Sequence, residues 1–153
     1  RRPSLRLTRV KQRREAAPEH PLPVERHLGH RLAAGVRLLS EDRPRGERAL
    51  ETVIVTWPNT PQAREANSRL GDLHVAARDN ASAVQAYAAA LNGWPRTPWA
   101  PETTLKLADA LIATDRKTQG CAALAEFNRR YAETASTTLK TRAGQMRTAA
   151  GCS

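Results

Sequence analysis

Aromatic side chains are scarce in this chain, with one Phe, two Tyr and three Trp among 153 residues. So few large rings leave little to fill a sheet sandwich or a broad aromatic core, and they favour helices packed through Ala and Leu. No apolar run approaches the ~20 residues needed to cross a bilayer, and the first residues hold no apolar stretch of ~7–15 residues of the signal-peptide kind. A G-x-S-x-G elbow, an H-E-x-x-H pair, a phosphate-cradling Gly-rich loop and a C-x-x-C pair are also absent. Asp109 and Asp115 stand apart with no evident partner. The expectation is a protein that is not an enzyme and carries no cofactor. His27 and His30 lie three apart, but no further ligand follows at a metal spacing, so they read as a surface pair and no metal is expected.

What is abundant is positive charge, +10 in all. Such an excess suggests an acidic partner, so its distribution matters. Residues 1–20 carry seven basic side chains against Glu15 and Glu19, and the remaining chain carries 18 against 13 acidic ones. Half of the excess therefore sits in a short basic arm. Residues 1–23 read as an irregular or disordered segment, with nucleic-acid or anionic-lipid binding by this arm as an alternative function.

The rest of the chain repeats itself. Trp57-Pro58-Asn59-Thr60-Pro61 returns as Trp94-Pro95-Arg96-Thr97-Pro98, and Tyr131 stands one further step of 37 residues on. The same step superposes Gly46, Ala83 and Gly120, then Leu50, Tyr87 and Leu124, then Val53, Ala90 and Phe127. Small and large residues keep to their own columns, as they do where paired helices stack. Leu70, Gly71, Ala83, Tyr87, Ala90 and Pro95 fall on the pattern of tetratricopeptide repeats.

The fold expected is all-α: a tetratricopeptide-repeat solenoid of three helix-turn-helix repeats plus a C-terminal capping helix. The repeats cover about 24–60, 61–97 and 98–134. Helices are predicted at 24–40, 44–57, 62–77, 81–93, 99–114, 117–131 and 135–149, broken at prolines, with Asn80 and Thr97 as capping or turn residues. Trp57 and Trp94 read as structural plugs at the ends of second helices.

In such stacks the first helix of each pair lines the concave face. By register that face presents Arg31, Gly35 and Leu38, then Glu65, Ser68, Arg69, Asp72 and Val75, then Glu102, Leu105, Lys106, Asp109 and Ile112. Mixed charge with some apolar surface suits a bound peptide or helical segment.

Thr97-Pro98-Trp99-Ala100-Pro101, Leu105-Lys106-Leu107-Ala108, Ala110-Leu111, Arg116-Lys117 and Cys121-Ala122-Ala123-Leu124, with Arg129-Arg130-Tyr131 and Gly151-Cys152, carry a more specific likeness. Over about residues 31–152 the chain resembles the C-terminal repeat domain of the CpoB/YbgF family of Tol-Pal-associated proteins. The resemblance implies a periplasmic, non-enzymatic module that binds TolA or a cell-wall synthesis protein and links peptidoglycan synthesis to outer-membrane constriction in cell division. The alternative with the same fold is a different repeat scaffold in an envelope assembly complex. Ser68-Arg69 replaces the family's aromatic pair and makes the groove more polar. The family's trimerising coiled coil finds no counterpart in residues 1–30, which lack heptads and contain four prolines, so a monomer is expected. Cys121 and Cys152 are the only cysteines. Antiparallel packing of helix 117–131 against the capping helix would bring them together, and in an oxidising compartment a disulfide is expected. The alternative is one buried small hydrophobe and one exposed thiol.

Overall fold

The computed structural model describes residues 23–153, with side chains from Arg26 onward, so the basic arm of residues 1–22 lies outside the described residues. Seven helices and no strand occur among the described residues: α1 Pro23–Glu41, α2 Arg43–Thr56, α3 Pro61–Ala76, α4 Asn80–Ala90, α5 Ala100–Ala113, α6 Lys117–Tyr131 and α7 Thr137–Ala150. The chain is all-α, and every predicted helix has a counterpart within three residues at each end. Pro23, assigned to the arm from sequence, is the first residue of α1. A proline is at home there because the first helical N–H has no partner within the helix.

Local chemistry sets most helix starts. Asp42, Thr60, Asp79 and Ser136 each accept a hydrogen bond from the backbone N–H three residues on, which caps α2, α3, α4 and α7. The cap of α4 is Asp79, so Asn80, predicted as a cap, is already helical. Thr97 differs in the same way from its twin Thr60. The Thr60 hydroxyl donates to the Trp57 carbonyl and accepts from Ala63 N–H. Thr97 makes neither bond: α5 begins at Ala100 without a side-chain cap, and the buried Thr97 Oγ1 has no partner.

The two Trp-Pro-x-Thr-Pro copies diverge at their third residue. Asn59 takes the left-handed turn at φ 65°, whereas in the second copy Gly93 and Trp94 take it, at φ 75° and 53°, and Arg96 does not. Asn tolerates that conformation better than Arg. The turn thus moves upstream, α4 ends at Ala90 rather than near 93, and α5 starts late.

Short connections make each pair α1–α2, α3–α4 and α5–α6 a helical hairpin, and each hairpin packs on the next through α2 with α3 and α4 with α5. Helix α7 closes the end against α6 and α5. The sequence columns are packing columns. Leu50, Tyr87, Leu124, Val53, Ala90 and Phe127 are all at most 1% exposed. Where the column is small, backbones or side chains crowd it: a Cβ on Gly46 would come 2.6 Å from the Leu39 nitrogen, and one on Gly120 would meet the Ile112 side chain at 2.7 Å. Two apolar clusters result. One joins Leu32, Leu50, Val53, Ala66, Leu70 and Ala86, and a larger one runs from Ala83 and Tyr87 through α5 and α6 to Ala143.

Candidate partner-binding groove

Helices α3, α5 and α7 border a concave cavity of about 490 Å³, and α4 closes its back. Asp72 and Val75 enter it from α3, Lys106, Asp109, Ala110 and Ala113 from α5, Arg142 from α7, and Asn80 and Tyr87 from α4. Four of the residues read from the sequence register, Asp72, Val75, Lys106 and Asp109, therefore share one site.

Asp72 is the electrostatic centre of this site. Its Oδ1 accepts from Tyr87 OH at 2.7 Å and from Lys106 Nζ at 2.9 Å, tying α3 to α4 and α5. The Tyr87 ring lies against Gly71, where a Cβ would come within 2.4 Å of the ring, so glycine lets the ring edge pass and the hydroxyl reach Asp72. Burial, and then the bond to the Asp72 carboxylate, push the Tyr87 hydroxyl far above its usual pKa, so it stays a proton donor at any physiological pH.

One repeat further along, Asp109 Oδ2 accepts from an Arg142 guanidinium nitrogen at 3.0 Å. Asp72 and Asp109 are 37 residues apart, and each carboxylate reaches to a base on the next first helix. The rim thus carries acid–base pairs that remain partly exposed, while Val75, Ala110 and Ala113 supply apolar surface between them.

The remaining predicted groove residues fall in several places. Glu65 and Arg69 form an i,i+4 pair at 3.8 Å on α3, and Glu102 stands 4.0 Å from Lys106. Arg69 and Glu102 stand about one turn before Asp72 and Lys106 on the same helices, whereas Glu65 lines a separate depression with Pro61, Thr97 and Trp99. Ser68 and Leu105 do not belong to the open face. Ser68 is 6% exposed and its hydroxyl is bonded at 2.8 Å to that of Thr103 in α5, while Leu105 is 0% exposed within the larger core cluster. Both lie one turn before the aspartates, where side chains of α3 and α5 meet and cover the stripe. Gly35 is also buried, against Leu50. Leu38 is half-buried on α1, outside the cavity. Arg31 is exposed but bound elsewhere: its guanidinium sits 5.4 Å from the Trp57 ring centre and donates to His27 Nε2 at 2.9 Å.

Sequence reasoning missed Tyr87 as a groove residue, having placed it in the core column, and missed Arg142. The register held the second signal, since Arg142 stands 37 residues after Leu105 and so occupies a first-helix position in the capping helix. Cys121, on the second turn of α6, and Cys152, just beyond α7, are joined by a disulfide with their Cα atoms 5.6 Å apart.

No protein-family model matches the chain, and no curated protein matches it. The site therefore rests on its own geometry. Among the described residues no group of three His, Cys, Asp or Glu side chains gathers as a metal set, and no helix is long and apolar enough to cross a membrane.

Proposed function

We propose that this chain is a tetratricopeptide-type repeat module that binds a segment of another protein in the groove between α3, α5 and α7. The observation that carries this reading is the groove itself: apolar surface from Val75, Ala110 and Ala113 framed by paired charges on successive first helices. Such a surface suits a peptide or helix with apolar anchors and polar flanks. The 37-residue columns, buried at every turn, support stacking of equivalent units. The Cys121–Cys152 disulfide supports residence in an oxidising compartment, in keeping with the resemblance to the CpoB/YbgF family and its periplasmic partner TolA.

The test is calorimetric titration of the protein with a periplasmic fragment of TolA. Reversing charge at Arg69 and Lys106 together (Arg69→Glu, Lys106→Glu) places two more acids beside Glu65, Asp72 and Glu102. It is expected to weaken binding about tenfold or more, which is ~1.4 kcal/mol. Arg116→Glu, on an exposed residue outside the groove, is expected to leave affinity unchanged. Equal affinity for the double variant and the parent protein would remove the groove from consideration.

A further inference from the structure

Helix α7 is poorly equipped to stand alone. Its sequence, TTLKTRAGQMRTAA, holds four threonines and a glycine among 14 residues. Thr and Gly are weak helix formers, and an isolated helix of this length is marginal in water even with better residues. Docking adds little, because Ala143 is its one buried residue and Leu139 and Met146 are only partly covered by the core. A Cβ on Gly144 would meet nothing, so that side of the helix is open. The N-terminal end is held by the Ser136 cap and by the Ala135 N–H bond to the Tyr131 carbonyl. The C-terminal end is held by the covalent bond from Cys152 to Cys121. Between those two ends Arg142 reaches Asp109 and walls the groove.

We propose that α7 is a thiol-controlled latch: the disulfide keeps it in place as the third wall of the groove, and reduction releases it, withdrawing Arg142 from Asp109. Both cysteines are partly exposed, so an external dithiol can reach them. One of its thiolates attacks a sulfur of the disulfide to form a mixed disulfide, and its second thiol then displaces the remaining protein thiol. Cys121 and Cys152 end as two thiols, having taken two electrons and two protons, and the dithiol becomes a disulfide. The functional meaning of the latch rests on the peptide-binding reading of the groove, but its existence does not.

The experiment compares the oxidised protein, the same protein reduced with dithiothreitol, and the Cys121→Ser/Cys152→Ser variant, with circular dichroism confirming that all three stay helical. Amide hydrogen exchange within 137–150 is expected to speed up roughly 100-fold on loss of the bond, while α3, α4 and α5 keep their protection. The chain has two tyrosines, so fluorotyrosine labelling yields two ¹⁹F signals, which Tyr131→Phe assigns. The Tyr87 signal is expected to shift on reduction, as the wall beside it leaves. Unchanged exchange in α7 would overturn the latch, and a loosened α7 with an unmoved Tyr87 signal would overturn its place as a groove wall. Neither readout uses a partner, so failure here leaves the peptide-binding reading intact, and failed peptide binding leaves the latch intact.

Discussion

At the scale of single residues, the most constrained position in the groove is Gly71. The Tyr87 ring occupies the space a side chain would need, and that ring edge belongs at once to the core and, through its hydroxyl, to the site. A rigid ring held by a buried neighbourhood cannot yield as a flexible side chain would. Gly71→Ala is therefore expected to destabilise the protein by about 2 kcal/mol through overpacking, offset only slightly by alanine's better helix propensity. Urea unfolding followed by circular dichroism measures this, and a variant as stable as the parent would show that the ring moves freely. The same residue pair shows what was and was not legible. Gly71 and Tyr87 both fall on the recurring pattern of small and large residues and both are buried, but periodicity reports which side chains are buried, not where the polar tip of a buried ring ends.

At the scale of helices, three ends share one closing pattern. After α3, Arg78 is left-handed at φ 61° and Asp79 N–H reaches back to the His74 carbonyl; after α5, Asp115 is left-handed at φ 60° and Arg116 N–H reaches the Leu111 carbonyl. After α7 the residue in this place is Gly151, at φ 66°. Glycine adopts this conformation without the steric penalty of a Cβ, so Arg78→Gly and Asp115→Gly are each expected to stabilise the protein by about 0.5–1 kcal/mol. Both residues are exposed, and thermal unfolding of the single and double variants checks the gain and its additivity. Helix positions were legible because prolines and recurring columns mark them. The capping of α5 was not, since the exchange of Asn59 for Arg96 shifts the turn by a backbone preference that a matching motif conceals. Ser68 and Leu105 were misplaced for a related reason. Register locates a stripe on one helix, whereas the width of that stripe left open depends on how closely the neighbouring helix approaches.

At the scale of the whole molecule, each hairpin touches mainly its neighbours, and the two apolar clusters are unequal. The smaller one, under α1 and α2, contains six buried residues, while the larger gathers Tyr87, Phe127, Tyr131 and six residues of α5. In a stack stabilised by nearest-neighbour interfaces, the unit with less buried surface opens first. Amides of α1 and α2 are thus expected to exchange at lower urea than those of α5 and α6, and coincident opening of all helices would point to a single cooperative unit. That α1 to α6 fall in three hairpins was readable from the 37-residue step. How the core divides between them was not, because it depends on where the few aromatic residues fall, and all but Trp57 lie from Tyr87 onward.

The disulfide has a consequence for a chain under load. Cys121 and Cys152 are 31 residues apart in sequence, so a pull on the two ends would unravel the helices before Cys121 and then meet a covalent bridge. The segment behind that bridge, about 100 Å of contour length at ~3.4 Å per residue, bears no tension and adds no extension until the bond is reduced. Stretched in an optical trap, the oxidised protein would fall short of its reduced form by that length, a reserve of reach controlled by electrons rather than by force.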